Sequence, residues 1–278
     1  MNPFRRLLRS PRCWWLLVGL VACALPWARW RPAQRFVCRP VAADELRVVT
    51  WNVGYFAPVS DKNMKATDVE RVATLLKPLD ADVVVLQELG SVEQAALIAR
   101  ELGPDWHAMA VPTGHGNQVL AVISDLPLED HACFECGGRM AVDAAFEGPQ
   151  GHAIRVVGVH APHPARGVEA NRASICGALE RGLASDEQPC IVAGDMNINF
   201  DPEGADPFYQ EITGRYGDST ASLGETYYAH TRIDHVFHTP AQLSVVERAS
   251  GLIDLSPRLA MVPGFRDHRP IVVTYRMQ

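Results

Sequence analysis

The sequence lacks the features of fibrous, disordered and coiled-coil proteins. Its 21 glycines and 20 prolines show no three-residue period, which excludes a collagen-like chain. Hydrophobic residues make up 47% and charged residues 21% of the chain, close to globular averages, so disorder and coiled coil are excluded too. With no internal repeat, the 278 residues predict a folded chain with a sizeable core, within the size range of a large α/β domain.

Positive charge is scarce after residue 45. Residues 1–45 contain eight arginines against Asp44 and Glu45, a net charge of +6. This leaves 18 of the 26 basic and 30 of the 32 acidic residues for the rest of the chain, a net charge of −12. Such an acidic body argues against a protein that coats nucleic acid without regard to sequence. An enzyme that holds cations remains compatible with it.

Long hydrophobic runs are absent, and the one apolar run of note lies near the N-terminus. Four arginines precede residues 13–28, a pattern typical of a secretory signal or signal anchor. As a helix the run is roughly 24 Å long, short of the ~30 Å hydrocarbon core of a bilayer. An uncleaved anchor, a cleaved signal and a lipoprotein modified at Cys23 all fit, as does a plain surface helix. We expect a chain anchored to the membrane or exported, with residues 1–30 as the signal or anchor and 31–45 as a linker.

The cysteines do not form a recognisable metal motif. Cys133 and Cys136 make a single C-x-x-C, and no second pair follows at zinc spacing. A local disulfide or two thiols is the simpler interpretation.

Strands and helices alternate over residues 46–278, which we interpret as one catalytic domain. Apolar, β-branched runs predict strands, and apolar residues at helical spacing between capping residues and glycine or proline predict helices. Helical crossovers mixed with direct hairpins favour an α/β sandwich built on mixed sheets. The predicted helices are 68–77, 92–102 with Ser91 as its cap, and 168–184. The predicted strands are 46–53, 82–86, 106–111, 118–124, 139–146, 154–160, 190–193, 234–238, 243–248 and 271–275.

Polar residues stand where these apolar runs begin or end. Taken alone, each of them is more typical of a solvated loop or a structural position. Together they predict one site at one edge of the sheets, because a rigid scaffold positions functional groups there. The residues are Asn52, Glu88, His160, Asp195, Asn197, Asp234, Asp267 and His268.

Six short motifs resemble those of one known family. They are WN at 51–52, LQE at 86–88, GVHAP at 158–162, GDMN at 194–197, RIDHVF at 232–237 and RDHRP at 266–270. In this order they resemble the endonuclease/exonuclease/phosphatase superfamily, which includes DNase I-like nucleases, phosphoinositide phosphatases and neutral sphingomyelinases. The resemblance implies a four-layer α/β/β/α sandwich, with two mixed β-sheets face to face and helices outside.

Residue chemistry and the resemblance lead to the same roles. Cleavage of a phosphodiester requires neutralised phosphate oxygens, an activated water and a stabilised leaving oxygen. Glu88 is an oxygen ligand suited to Mg²⁺, or to Mn²⁺ in its place, and Asn52 and Asp267 are expected to complete or orient that metal site.

The remaining residues are expected to handle protons and the phosphate. His268 is the predicted general base and Asp234 its partner, with Asp195 as the alternative base. Asn197 is expected to donate its amide to the phosphate, and His160 resembles the second catalytic histidine of DNase I-like enzymes. Arg139 stands where an arginine of the family often contacts phosphate. We expect His163, His235 and His238 to be structural.

Three functions are compatible with these motifs. The first is a metal-dependent nuclease of the DNase I type, and the second is a phospholipid phosphoesterase, of the sphingomyelinase or phosphoinositide-phosphatase kind. The third is a binding module that uses the fold without catalysis. The expected partners are a phosphodiester substrate, nucleic acid or phospholipid, and a membrane through the N-terminal segment, while no protein partner is implied.

Overall fold

The computed structural model describes residues 34–54, 66–182, 188–200, 206–227, 231–254 and 268–278. The predicted N-terminal signal or anchor and the metal-ligand candidate Asp267 lie outside these ranges. None of the helices in these ranges is long and apolar enough to cross a bilayer.

Over the described residues, the strands form a seven-stranded and a six-stranded sheet. The first, sheet A, has the order β11-β13-β1-β2-β4-β3, with β12 also paired to β13, and the second, sheet B, has the order β5-β6-β7-β8-β10-β9. Both sheets are mixed, because β1–β2 and β7–β8 are parallel pairs and the other pairs are antiparallel. The strands are β1 Glu45–Asn52, β2 Val83–Leu89, β3 His107–Pro112, β4 Val119–Ser124, β5 Leu128–Cys136, β6 Arg139–Glu147, β7 Ala153–His160, β8 Cys190–Asp195, β9 Gly217–Asp218, β10 Asp234–His238, β11 Leu243–Val245, β12 Gly251–Leu252 and β13 Ile271–Met277.

The two sheets pack face to face. Gly158 of β7 lies so close to sheet A that a Cβ atom there would be 3.1 Å from Val85 and 3.0 Å from Val122. Both valines are fully buried, as expected for strands that are covered on both faces. Glycine at this position therefore permits the close approach of the central strands.

Helices cover the outer faces of both sheets. The α-helices are α1 Ala66–Leu76, α2 Val92–Leu102, α3 Val168–Gly182 and α4 Pro207–Thr213. Val72 of α1 and Ile98 of α2 share one apolar core with Leu86 of sheet A, and Ile175 of α3 packs with Val192 of sheet B. These layers confirm the predicted α/β/β/α sandwich.

The capping of α2 follows from its sequence. The Ser91 side chain accepts a hydrogen bond from the Gln94 backbone N–H, and the Gln94 side chain accepts one from the Ser91 N–H. This capping box satisfies N–H groups that a helix start leaves without intrahelical partners.

Several elements differ from the sequence prediction, among them the two-residue strands β9 and β12, which were not predicted. Strand β5 was not predicted because its residues LEDHACFEC are largely polar and exposed, as suits an edge strand. Helix α4 was missed as well, although Asp206 caps its N-terminus and Pro207 opens it. The predicted strand 243–248 ends at Val245 and continues as a 3₁₀ helix, Glu247–Ala249.

The chain before β1 lies along the edge of sheet A. Phe36 N–H donates to the carbonyl of Leu252 at 3.0 Å, and Leu252 N–H donates to the carbonyl of Gln34 at 2.8 Å. A side chain at Gly251 would collide with the Arg35–Phe36 backbone. These contacts hold residues 34–36 against β12.

Candidate active site

The predicted site residues that lie in the described ranges meet at one edge of the two sheets. In sheet B, Asp195 at the end of β8 pairs with both His160 at the end of β7 and Asp234 at the start of β10. In sheet A, Asn52 ends β1 beside Gln87, which precedes Glu88 on β2. His268 precedes β13, so four strand ends and two strand starts supply the site.

Gly194 sets the position of Asp195. Its φ is +151°, and a Cβ atom there would lie 1.8 Å from the carbonyl oxygen of Val159. Any other residue would push β8 away from β7, so the glycine of the GDMN motif is required for Asp195 to reach the cleft.

The loop after β8 is shaped around Asp195. Asn197 has a left-handed φ of 51°, and its backbone N–H donates to Asp195 Oδ1 at 2.8 Å. The buried Asn171 amide of α3 donates to the carbonyls of Pro162 and Met196 at 2.7 and 2.8 Å. Asn171 thereby ties together the loops that follow His160 and Asp195.

Asp195 Oδ2 is the atom on which the site converges. It accepts a hydrogen bond from Asn52 Nδ2 at 2.9 Å, which joins the two sheets. His160 Nε2 lies 3.6 Å and His268 Nε2 3.9 Å from the same oxygen. Burial raises the pKa of Asp195 to about 7, and the charge of Asp234 adds to the rise.

Asp234 orients His268. The Nδ1 of His268 lies 2.8 Å from Oδ2 and 3.0 Å from Oδ1 of Asp234, so an Nδ1–H donates to the carboxylate and Nε2 is directed toward Asp195. Burial lowers the pKa of His268, but the charge and hydrogen bond of Asp234 outweigh it and raise the pKa to about 9. The imidazolium form is therefore favoured at neutral pH.

His160 lies between two carboxylates. Its Nε2 is 3.6 Å from Glu88 Oε1 and 3.6 Å from Asp195 Oδ2. Burial holds the pKa of His160 well below its usual range, and the positive charges of Arg139 and His268 lower it further. A neutral ring with its proton on Nε2 suits both carboxylates.

Glu88 has a backbone conformation that is unusual for its residue type. Its φ is +61°, and the pairing of β2 with β4 shifts register between Leu86 and Leu89. A non-glycine residue in the left-handed region is uncommon and costs free energy, and such positions cluster at functional sites. The bulge turns the Glu88 carboxylate into the cleft next to His160.

The two predicted phosphate-binding residues border the same cleft. Arg139, only 6% exposed, donates from Nη1 to the carbonyl of His160 at 3.3 Å. Asn197 Nδ2 donates to the carbonyl of Ala161 at 3.0 Å, which uses one of the two amide N–H groups.

The carboxylates of the site suit a hard divalent cation. Asp195, Asp234 and His268 bring one side-chain N or O atom each within 4.8 Å of one another, and the Glu88 carboxylate lies 3.6 Å from the His160 ring. His268, held as an imidazolium by Asp234, offers no lone pair to a metal, so the carboxylates are the candidate ligands. Buried carboxylates that repel one another, as Asp195 and Asp234 do, are stabilised by a cation bound through oxygen. Asn52 borders the same cleft. Its Nδ2 donates to Asp195 and its Oδ1 accepts the Gly54 N–H, so only the second lone pair of Oδ1 would be available to a cation.

The remaining histidines of interest serve the fold. His235 Nε2 donates to the carbonyl of Arg232 at 3.0 Å, and His238 Nδ1 lies 2.8 Å from Ser219 Oγ. His163 Nδ1 accepts the Ala165 N–H and caps a 3₁₀ helix. Cys133 and Cys136 are thiols, the first exposed and the second buried.

Sequence reasoning missed His115. It lies at the tip of the turn between β3 and β4, and Arg166 Nη1 contacts both of its ring nitrogens. The flanking glycines Gly114 and Gly116, both with positive φ, mark a tight turn in the sequence, but nothing local indicates which cleft the turn borders.

The four layers and the cluster of carboxylates, histidines and amide at one sheet edge define a fold of the phosphoesterase type. A sequence profile of the Endonuclease/Exonuclease/phosphatase family matches residues 49–256, and the chain belongs to this family. A search of curated protein sequences found no significant match.

Solved structures show the same fold at low identity. An endonuclease/exonuclease/phosphatase from Bacteroides vulgatus matches with a TM-score of 0.69 and 22% identity, over 84% of this chain and 99% of that one. The human Nocturnin catalytic domain with bound sulfate matches at 0.63 and 17%, over 89% and 100%. The mannosyl-6-phosphatase Bt3783 of Bacteroides thetaiotaomicron matches at 0.60 and 18%, over 83% and 99%.

Proposed function

We propose that this chain is a divalent-metal-dependent phosphoesterase that hydrolyses phosphodiester bonds by in-line attack of water, as a DNase I-like nuclease. The convergence of Asn52, His160 and His268 on Asp195 Oδ2 carries the proposal. A carboxylate with a pKa of about 7 next to an imidazolium with a pKa of about 9 forms an acid–base pair suited to neutral pH. Membership in the family supports a hydrolase acting on phosphoesters.

The pKa values of Asp195 and His268 suggest a different role for each residue in proton transfer. Asp195 is ionised in part of the molecules at neutral pH and accepts the proton of the attacking water, the second of the two assignments that the sequence allowed. His268 stays protonated against Asp234 and stabilises negative charge on the phosphorane from Nε2. His160 presents an Nε2–H that orients Glu88 and Asp195.

Glu88, with Asn52 and Asp267 as its predicted companions, would hold the Mg²⁺ or Mn²⁺. A bound cation of this kind neutralises negative charge on the nonbridging phosphate oxygens and on the leaving oxygen. Arg139 and Asn197, both bonded to the backbone at His160 and Ala161, would orient the phosphate.

The substrate is tested by an activity screen of the full chain at fixed Mg²⁺ and ionic strength. The substrates are plasmid DNA, RNA, sphingomyelin, phosphoinositides and a chromogenic phosphodiester, each with and without EDTA. We expect metal-dependent nicking of DNA without sequence preference. Lipid turnover without DNA nicking would replace the nuclease assignment, and no turnover of any substrate with Mg²⁺ or Mn²⁺ would contradict the proposal.

A phospholipid substrate is the second candidate, favoured by the arginine-flanked apolar run at residues 13–28. A chain held at a membrane meets lipid headgroups directly, and the net charge of −12 after residue 45 lowers the affinity expected for duplex DNA. The lipid substrates of the same screen decide between the two candidates.

The membrane or export assignment is a proposal of its own. Fractionation of cells that express the full chain is expected to place it in the membrane or outside the cytoplasm. Recovery of the intact chain, with its apolar run, in the cytosolic fraction would contradict this. Cys23→Ser then separates the lipoprotein case, because only a lipid on Cys23 would make attachment depend on that thiol.

A further inference from the structure

The turn between β3 and β4 is fixed next to the start of β6. The carbonyl of Thr113 accepts the Met140 N–H at 3.2 Å, while the Thr113 N–H and hydroxyl donate to the carbonyl of Gln118 at 2.8 and 3.1 Å. Thr113 is fully buried, so this end of the turn is rigid. The turn therefore holds His115 on the same side of the molecule as Arg139.

Arg166 approaches this turn from the loop after β7. It ends the 3₁₀ helix Pro164–Arg166, which the His163 ring caps and the Gly167 N–H closes. The Arg166 guanidinium lies 2.8 Å from His115 Nδ1. The same Nη1 atom also contacts His115 Nε2. Burial and then the positive charges of Arg166 and Arg139 lower the pKa of His115, which favours a neutral ring beside the guanidinium.

Neither Arg139 nor Arg166 forms an ion pair with a carboxylate in the described part of the chain. Several other arginines do: Arg155 and Arg181 bind Asp143, and Arg276 binds Glu45. In an acidic body, two neighbouring guanidinium groups whose protein partners are a carbonyl and a neutral imidazole retain their capacity for an anion.

Arg139 lies next to the candidate catalytic residues, and Arg166 is close enough to Arg139 for their charges to interact. Arg139 bonds the backbone of His160, whose ring contacts Glu88 and Asp195. Burial lowers the pKa of Arg139, the carboxylate of Asp195 opposes this, and the charge of Arg166 lowers it further. Arg139 thus interacts electrostatically with both the Asp195 carboxylate and the Arg166 guanidinium.

We propose that Arg139, His115 and Arg166 form an anion subsite beside the catalytic centre that binds a second phosphate of the substrate. This inference rests on the proposed phosphoesterase function and names the substrate class: a phosphoester that carries a further phosphate group. An internucleotide linkage of a polynucleotide and a small bisphosphate share this chemistry. Arg139 serves both the scissile and the second phosphate, and Arg166 serves the second alone.

The test compares two ligands that differ by one phosphate, thymidine 3′,5′-bisphosphate and thymidine 5′-monophosphate. Calorimetric titration of the metal-free full chain measures binding without turnover. We expect the bisphosphate to bind about tenfold more tightly, because its second phosphate adds charge-assisted hydrogen bonds from Arg166. Arg166→Ala is expected to remove this difference, whereas Arg100→Ala, which removes one exposed charge on α2, is expected to preserve it.

The matching turnover experiment uses the 5′-(4-nitrophenyl) ester of thymidine 5′-phosphate with and without a 3′-phosphate. A higher kcat/KM for the 3′-phosphorylated ester that Arg166→Ala abolishes supports the subsite. A still higher kcat/KM for an oligonucleotide assigns the subsite to polynucleotides rather than to small bisphosphates. Turnover of both esters at equal kcat/KM, together with equal affinities in calorimetry, overturns the subsite while leaving the proposed function intact. Absence of turnover contradicts the proposed function, and the calorimetry still decides on the subsite.

Discussion

Asn52 on sheet A donates a hydrogen bond of 2.9 Å to Oδ2 of Asp195 on sheet B. The two sheets thereby meet in a contact between two side chains at the candidate active site. Asn52 is 2% exposed and its Oδ1 accepts the Gly54 N–H, so the amide is held in one orientation. Asn52 thus fixes the carboxylate on which His160 and His268 converge.

Asn52→Ala is therefore expected to reduce kcat/KM by about 10- to 100-fold, because a hydrogen bond to a charged group contributes about 1.5–3 kcal/mol. Steady-state kinetics on a chromogenic diester measures the loss. Gln210→Ala, which removes an exposed amide on α4, serves as the control and is expected to keep full activity. Unchanged kinetics for Asn52→Ala would mean that Asp195 is positioned without it.

The pairing of Asp234 with His268 predicts a titration. In the metal-free protein His268 is expected to titrate near pH 9, followed by NMR of its ring protons. Asp234→Asn removes the charge that raises this pKa, so the midpoint is expected to fall by more than one pH unit. Asp130→Asn, a change on an exposed part of β5, is expected to leave the midpoint in place. A wild-type midpoint near 6.5 would contradict the pairing.

Glu88 is predicted to govern metal affinity. Glu88→Gln removes a carboxylate ligand, so the Mg²⁺ concentration for half-maximal activity is expected to rise at least about tenfold. Calorimetric titration with Mg²⁺ measures the same change without turnover. Glu180→Gln, near the end of α3, is the matched control. Equal Mg²⁺ affinity in Glu88→Gln and wild type would exclude Glu88 from the metal site.

His235 makes stability depend on pH. Burial is the main cause that lowers its pKa to about 4, and the charge of Asp218 opposes it, whereas the unfolded chain has a pKa of about 6.5. Between these pH values the unfolded state binds more protons than the folded state. The contribution of His235 to the free energy of unfolding is therefore complete above about pH 6.5 and is lost as the pH falls toward 4. The contribution is about 3 kcal/mol.

Urea unfolding at pH 7.5 and 5.0 measures this contribution. His235→Gln is expected to show a smaller loss between the two pH values than wild type, and His152→Gln, an exposed position, the same loss as wild type. An identical decrease in the free energy of unfolding for His235→Gln and wild type would show that His235 does not cause the pH dependence.

Much of the fold was predictable because strand and helix signals are local. The buried runs of β1, β2, β7 and β8 predicted strands whose polar ends share one edge, and the structure has them there. Strand β5 escaped prediction because an exposed edge strand lacks the apolar period of the interior ones.

The sequence predicted which strand-end residues lie close together, but not which side chains contact one another. Asn52 was predicted as part of a metal site, whereas its amide bonds a carboxylate from the other sheet, a long-range contact that residue type cannot reveal. The left-handed backbone of Glu88 and the approach of Arg166 to His115 likewise depend on tertiary structure. The residues at the strand ends can therefore be read from the local sequence, whereas the contacts between their side chains depend on tertiary packing.

The measurement that tests the central claim most directly is hydrolysis of bis(4-nitrophenyl) phosphate by the full chain and by Asp195→Asn, each with Mg²⁺ and after chelation with EDTA. We expect metal-dependent turnover by wild type, its loss on chelation, and a fall of about 10²–10⁴-fold for Asp195→Asn at unchanged melting temperature, the range for removal of an acid–base group. Turnover that survives chelation, or an Asp195→Asn variant with near wild-type kcat, would contradict the account.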